Sequence, residues 1–215
     1  MPPDAERTQV FLLPLSAAGA GAALPATDIE RAEADILPAA LRAAFLVRRR
    51  LLRQAVALRL GIAAGDILIA RDANGAPRVT SAREPVFVSL AWRGELVAVA
   101  VSDRPVGIDV EAVEATPPEP ALNVLHPSER DWLARQTAHQ QPDAFLRLWC
   151  VKEAYLKATG LGLRREPAEI AVSLVEGGDV CIEDAGRRVQ LDTGFVARTS
   201  AHAIPAILAC IVLAR

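Results

Sequence analysis

Apolar residues recur at helical spacing over two long segments of the chain, and several short apolar runs follow each segment. Over residues 38–60 they lie at intervals near three and four, and Gly61 is a suitable helix stop. A second long helix is predicted over residues 142–159. Thr27 and Glu30, three residues apart, match a capping box and predict the start of another helix.

The short apolar runs, rich in valine, leucine and isoleucine, predict strands. Residues 86–90 and 96–101 are separated by a turn and are typical of a hairpin. Ser128 is a candidate cap of a short helix, and a proline-rich stretch at residues 117–120 interrupts the pattern. Further strands are predicted at residues 9–15, 67–70, 106–113, 170–174, 180–183, 189–191 and 207–213.

The order of these elements predicts an α+β fold with two similar halves. Each half has a long helix, a terminating glycine and then several strands, and Phe45 and Phe145 lie 100 positions apart. We therefore expect a pseudo-dimer in which each half is a long helix packed on a small antiparallel sheet. Residues 1–104 would form the N-terminal half and residues 105–215 the C-terminal half.

Composition excludes several classes of protein. The net charge of -2 argues against a general nucleic-acid binder, and no apolar run is long enough to span a bilayer. The beginning of the chain lacks the pattern of a signal peptide. Three widely spaced cysteines predict neither a disulfide framework nor a zinc site. We expect a cytoplasmic protein that binds neither nucleic acid nor membrane.

The first candidate for chemistry is a pair of acids on a predicted strand. Asp109 and Glu111 are two residues apart, so their side chains point to the same face of that strand. A divalent cation such as Mg²⁺, which prefers oxygen ligands, would relieve the repulsion between them. The alternative is a pair of solvated acids at a strand edge, since acids are common on surfaces.

The second candidate is the predicted helix that carries Lys152 and Lys157, the only lysines among 24 basic residues. Glu153 and Lys157 are four residues apart and share one helical face. They form either an ordinary Glu–Lys pair or a site in which Glu153 binds metal or acts as a base and Lys157 binds phosphate.

Arginines on the first long helix are the third candidate. Arg49 and Arg53 share a face, whereas Arg50 points away from it. The group forms either a solvated face or an anion site, because arginine binds phosphate in a bidentate manner.

Together, the acidic strand and the lysine-bearing helix resemble the Sfp-type 4'-phosphopantetheinyl transferases. That family carries a Gly-x-Asp-x-Glu strand and, further along the chain, a helix of the form Trp/Phe-Ser/Cys-x-Lys-Glu-Ala-x-x-Lys. Here the two motifs occupy residues 107–111 and 149–157, and Asp109 precedes Glu153 by 44 positions. Either motif alone is weakly specific, but both in this order and at this spacing are a strong match.

The resemblance implies an enzyme that moves the 4'-phosphopantetheine arm of coenzyme A onto a serine of an apo acyl or peptidyl carrier protein and releases 3',5'-adenosine bisphosphate. It implies that Asp109, Glu111 and Glu153 hold Mg²⁺, that Glu153 also acts as general base, and that Lys157 neutralises charge on the pyrophosphate. Lys152 matches the motif, but its role is open. An internal pseudo-dimer is also consistent with a monomer. The carrier would belong to fatty-acid, polyketide or nonribosomal-peptide synthesis.

For coenzyme A, the resemblance assigns Arg49, Arg71 and Ser89, in a cleft between the halves. Two positions depart from the family: Leu90 stands where histidine is common, and Ala76 stands where lysine is common. These departures predict weaker binding of coenzyme A, unless one of three other arginines compensates, namely Arg48, Arg78 or Arg93.

Two alternatives remain at this point. A catalytically weakened, carrier-binding paralogue with reduced coenzyme A affinity would account for Leu90 and Ala76, although the complete set of acids and Lys157 opposes it. The other is a different Mg²⁺-dependent phosphoryl-transfer enzyme. The chain lacks a Gly-x-x-x-x-Gly-Lys loop, which disfavours nucleotide hydrolysis.

Overall fold

A computed structural model of the chain describes residues 7–19, 24–113, 121–201 and 204–214. The predicted proline-rich stretch at residues 117–120 lies outside these ranges. The first half contains β1 (Thr8–Pro14), α1 (Asp28–Asp35), α2 (Ala39–Leu60), β2 (Ile69–Arg71), β3 (Pro77–Val79), β4 (Phe87–Arg93) and β5 (Leu96–Ser102). The second half contains β6 (Val106–Ala112), α3 (Pro127–Ala134), α4 (Gln141–Ala158), β7 (Ile170–Leu174), β8 (Val180–Asp184), β9 (Arg187–Arg188), β10 (Leu191–Ala201) and β11 (Ile204–Leu213).

Both halves arrange their strands in the same order. The first sheet runs β1-β5-β4 and the second runs β6-β11-β10, and all neighbouring strands are antiparallel. In each half the chain passes from the first strand to the long helix, then through a small separate sheet, and then into the last two strands. The α+β prediction is confirmed, and the shared order is compatible with a pseudo-dimer.

The two sheets pack face to face, and a long helix covers the outer face of each. On β5, Val97, Val99 and Val101 pack in the cluster formed with α2, whereas Ala98 and Ala100 pack in the cluster between the sheets. The strand β11 alternates in the same way between α4 and the first sheet. Because both faces of these central strands are buried, their sequences are continuous apolar runs.

Helix ends follow the sequence at Thr27 and Gly61 but not at Ser128. Thr27 and Glu30 form the expected capping box, and Gly61 ends α2 with a φ of 66°, a conformation that favours glycine. The prediction that Ser128 caps α3 is wrong. His126 is the N-cap, Pro127 is the first helical residue, and the Glu129 carboxylate accepts a hydrogen bond from the His126 N–H at 2.8 Å.

The strand predicted at residues 189–191 was wrong. Residues 189–190 lie between the two-residue β9 and the eleven-residue β10, and only Leu191 belongs to a strand. The body of β10 and the short β3 were not predicted. No helix within the described ranges has the length and hydrophobicity needed to cross a membrane.

Candidate active site

Helix α4 packs directly on strand β6, and Gly107 makes this contact possible. A Cβ atom at Gly107 would lie 1.8 Å from the carbonyl oxygen of Ala154 on α4. Because side chains alternate along a strand, Asp109 and Glu111 extend from the same face of β6 as Gly107, toward α4. The close approach therefore brings the two acids of the strand to the helix that carries Glu153 and Lys157.

Lys157 lies between two of the three candidate metal ligands. Its Nζ donates a hydrogen bond to Asp109 Oδ1 at 2.6 Å and lies 3.8 Å from Glu153 Oε2. The carboxylate of Asp109 is buried, and its Oδ2 has no hydrogen-bond partner among the described residues. The prediction that Glu153 and Lys157 share one face of the helix is thus confirmed. The structure also brings Asp109, on β6, next to that face.

Glu111 lies beside a positive charge from the other half of the molecule. Its Oε2 is 3.3 Å from Arg93 Nε, at the end of β4. Burial raises the pKa of Glu111 above its usual value, and the charge of Asp109 raises it further, while Arg93 lowers it. Burial also raises the pKa of Glu153, with Lys157 lowering it and Asp109 raising it. Added positive charge would therefore favour the ionised form of both acids.

The donor set fits a hard divalent cation in its chemistry. Asp109, Glu111 and Glu153 offer only carboxylate oxygens, which Mg²⁺ prefers, and the buried Oδ2 of Asp109 has no hydrogen-bond partner among the described residues. The described residues contain no group of three or more His, Cys, Asp or Glu side chains already placed to hold a metal ion. Lys157 instead supplies the positive charge next to Asp109 and Glu153.

Lys152 points away from this site into the core of the second half. It is fully buried, and its Nζ lies 2.9 Å from Glu129 Oε2. The ammonium also donates to the carbonyl oxygens of Pro167, at 2.8 Å, and Ile170. Burial lowers the pKa of Lys152, and the adjacent Glu129 partly offsets this. Lys152 therefore ties α4 to α3 and to the start of β7.

The predicted anion site in the first half is centred on a residue that sequence reasoning missed. Glu33 on α1 accepts a hydrogen bond from Arg49 Nη2 at 2.7 Å and lies 3.4 Å from Arg71 Nε. Both guanidinium groups also lie near the ring of Phe45, at 5.2 and 5.4 Å from its centroid. Arg53 forms a separate buried pair with Glu30 at 3.0 Å. Arg49 and Arg53 are thus buried and do not belong to a solvated face.

Ser89 and Leu90 lie on opposite faces of β4. The Ser89 hydroxyl accepts a hydrogen bond from the Ile108 N–H at 3.1 Å, and so joins the two halves. Leu90 packs against the apolar cluster of α2. Ala76 lies in the loop after Arg71, where its N–H donates to Asp72 Oδ1 at 3.0 Å.

The loop after β2 brings the two candidate regions together. Asn74 Nδ2 donates a hydrogen bond to the carbonyl oxygen of Gly160, directly after α4, at 3.1 Å. Arg71 begins this loop, and Lys157 is on the last turn of α4. This contact places the loop that Arg71 begins against the end of α4, the helix that carries Glu153 and Lys157.

Each of the three arginines that were expected to compensate for Leu90 and Ala76 has a partner. The guanidinium of Arg48 stacks on the ring of Trp92 at 4.0 Å. Arg78 lies 3.6 Å from Asp72, and Arg93 lies 3.3 Å from Glu111. An anionic ligand would have to share these groups with their present partners.

Comparison with known proteins gives a consistent result. Residues 105–205 match the model of the 4'-phosphopantetheinyl transferase superfamily. The 4'-phosphopantetheinyl transferase HetI of Nostoc sp. is 30% identical over 161 residues, covering 72% of this chain and 68% of that protein. The transferase gsp of Aneurinibacillus migulanus is 30% identical over 118 residues, covering 55% and 48%. The transferase Sfp of Bacillus subtilis is 27% identical over 133 residues, covering 62% and 59%.

Matches to several of these relatives cover only part of their length. The chain spans 48% of gsp, 61% of a second Bacillus subtilis transferase and 50% of psf-1 of Bacillus pumilus. Among solved structures, the holo-[acyl-carrier-protein] synthase of Thermotoga maritima aligns with a TM-score of 0.38 and 21% identity, over 52% of this chain and 64% of that chain.

Proposed function

Because the chain belongs to the 4'-phosphopantetheinyl transferase superfamily, we propose that it transfers the 4'-phosphopantetheine arm of coenzyme A to a serine of an apo acyl or peptidyl carrier protein. The observation that carries this proposal is the convergence of Asp109, Glu153 and Lys157, with Lys157 Nζ 2.6 Å from Asp109 and 3.8 Å from Glu153. The product released would be 3',5'-adenosine bisphosphate.

In the proposed reaction, the serine oxygen bonds to the phosphorus attached to the pantetheine arm. The bond from that phosphorus to the bridging oxygen of the pyrophosphate breaks, and the adenosine bisphosphate leaves with the electron pair. Glu153 accepts the serine proton, directly or through one water. Its pKa is raised by burial, which moves it toward the range in which a general base is effective at neutral pH.

The remaining polar side chains hold the reacting groups. Asp109, Glu111 and Glu153 would bind Mg²⁺, which supplies positive charge to the pyrophosphate oxygens. Lys157 binds the pyrophosphate and stabilises the negative charge that develops there. Arg49 and Arg71 bind the phosphates of coenzyme A. Ser89, on β4, is a third residue of the proposed coenzyme A site.

A carrier-loading assay tests the proposal directly. Purified protein, Mg²⁺, coenzyme A and an apo carrier should yield a carrier heavier by one phosphopantetheine arm, as measured by intact mass. Several apo carriers, from fatty-acid, polyketide and nonribosomal-peptide systems, would identify the partner class.

We predict that Glu153→Gln lowers the rate of loading at least a hundredfold, because glutamine cannot accept the serine proton and is a poorer ligand. Glu176→Gln, at an exposed position in the turn after β7, is the matched control and should load at the normal rate. Normal loading by Glu153→Gln would exclude the role assigned to that residue.

The second candidate function is a carrier-binding paralogue with reduced coenzyme A affinity. The packing of the partly buried Leu90 against the cluster of α2 and the pairing of Arg49 with Glu33 favour it. In that case, calorimetry would detect carrier binding without coenzyme A binding, and no carrier would gain mass.

The proposal includes the oligomeric state and the cellular location of the protein. We expect a cytoplasmic monomer, with the substrate cleft formed by the two halves of one chain. The three cysteines are free thiols in the structure, which is compatible with a reducing compartment.

A further inference from the structure

Glu33 contacts both arginines of the proposed coenzyme A site. Its carboxylate lies 2.7 Å from Arg49 Nη2 and 3.4 Å from Arg71 Nε, although the three residues come from α1, α2 and β2. The side chain of Arg49 is only 4% exposed and that of Glu33 14%, whereas that of Arg71 is 44% exposed. The contact is therefore largely sheltered from water on the Arg49 side.

The carboxylate of Glu33 neutralises part of the positive charge of Arg49 and Arg71. Burial lowers the pKa of the Arg49 guanidinium, Glu33 offsets this, and the like charge of Arg71 adds to the lowering. A buried cation without a partner is costly, so Glu33 stabilises the free protein. Two guanidinium groups and one carboxylate leave a single net positive charge for an incoming anion.

We propose that Glu33 is a specificity-determining residue that competes with the ligand for Arg49 and Arg71. A phosphate that enters this site has to share both guanidinium groups with the carboxylate or displace it. Glu33 thus lowers the affinity for anions in general and favours ligands that bring more negative charge than one carboxylate does. The inference rests on the proposed function, in which these arginines bind the phosphates of coenzyme A.

Replacing Glu33 by glutamine separates the two effects of the carboxylate. Glu33→Gln keeps the shape and one hydrogen-bond acceptor but removes the charge. Without ligand, the variant should melt at a lower temperature, because Arg49 loses its counter-ion. With coenzyme A, its affinity should rise about tenfold, the effect of one charge-assisted hydrogen bond. Its stabilisation by ligand should then exceed that of the wild type.

Asp35→Asn is the matched control. Asp35 ends the same helix, is exposed, and lies 3.7 Å from Arg42, away from Arg49 and Arg71. The substitution makes the same change in net charge, so it reports the general electrostatic contribution. Adding Arg71→Gln to Glu33→Gln provides a second control, because the gain in affinity should largely disappear with that arginine. If Glu33→Gln does not fold, Glu33→Asp, whose shorter side chain cannot reach both guanidinium groups, should give a smaller gain.

Calorimetry with coenzyme A and thermal shifts with inorganic phosphate together distinguish the outcomes. Tighter binding of both ligands by Glu33→Gln, but not by Asp35→Asn, supports the inference. Equal or weaker binding of phosphate by Glu33→Gln overturns it and makes Glu33 a residue that only positions Arg49. If the wild type neither binds coenzyme A nor loads a carrier, the proposed function fails. The phosphate result then still decides whether Glu33 competes for an anion.

Discussion

Two lysines five positions apart have opposite environments. Lys152 is fully buried against Glu129, whereas Lys157 is 29% exposed and bridges Asp109 and Glu153. Adjacent helical positions differ by about a quarter turn or more, so Lys152 and Glu153 necessarily point in different directions. The lysine that matches the family motif without an assigned role thus stabilises the helix that presents Glu153 and Lys157.

We predict that Lys152→Met lowers the free energy of unfolding by about 3–5 kcal/mol, because it leaves the Glu129 carboxylate buried without its cation. The pair Lys152→Met with Glu129→Gln should recover part of this loss. Urea denaturation measures both values.

Lys157→Met is the matched comparison for that experiment. The side chain of this lysine is 29% exposed, so its loss should cost only about 1–2 kcal/mol of stability, while carrier loading should fall. A larger stability loss at Lys157 than at Lys152 would contradict the assignment of Lys152 as the structural lysine.

Two of the acids that pair with basic residues could not be predicted from the sequence. Glu129 precedes Lys152 by 23 positions, and Glu33 precedes Arg71 by 38. Neither spacing places the pair on one turn of a helix or on neighbouring positions of one strand. The Glu153–Lys157 pair was predictable because helical spacing fixes it locally. Asp109 joined that pair only through the contact between β6 and α4.

At the scale of elements, the candidate active site depends on how closely α4 approaches β6. Glycine at position 107 and alanine at positions 154 and 158 leave no side chain large enough to separate helix and strand. The short distance between Lys157 and Asp109 is a consequence of this packing. The glycine of the Gly-x-Asp-x-Glu motif therefore has a steric role, on which the proposed metal site of its acids depends.

We predict that Gly107→Ala destabilises the protein by about 1–3 kcal/mol and lowers carrier loading more than tenfold. The added Cβ would meet the Ala154 carbonyl at 1.8 Å, so α4 has to move. Thermal melting and the loading assay measure the two effects.

Gly65→Ala is the matched control, since nothing lies within 4 Å of a Cβ atom there. It should fold and load normally. Full loading by Gly107→Ala would show that the site tolerates a shift of α4.

Strands that are buried on both faces could be predicted from the sequence, whereas an exposed edge strand could not. The strands β5 and β11 were evident because both of their faces are buried and their sequences are continuous apolar runs. The strand β10 was missed because it is an edge strand with exposed residues such as Asp192, Thr193 and Arg198. It is held in the sheet by backbone hydrogen bonds to β11. Because such pairing does not require apolar side chains, the sequence of β10 carries only a weak strand pattern.

At the scale of the whole molecule, the two halves share one interior surface. Alanine, valine and leucine side chains from β4, β5, β6 and β11 fill the space between the sheets. The hydrogen bond from the Ile108 N–H to Ser89 and the contact of Asn74 with Gly160 also cross from one half to the other. The substrate site that we propose between the halves would therefore keep its geometry only while the halves stay packed together.

We therefore predict that the halves unfold as one cooperative unit. Leu208 on β11 faces the first sheet and is 8% exposed. Leu208→Ala should lower the free energy of unfolding by about 2–5 kcal/mol, in one transition. Hydrogen exchange followed by mass spectrometry should show faster exchange in β5 as well as in α4. Leu58→Ala, at a position on α2 that is 72% exposed, should change neither. Faster exchange confined to the second half in Leu208→Ala would instead indicate two independently folding halves, with a cleft that can open without unfolding either one.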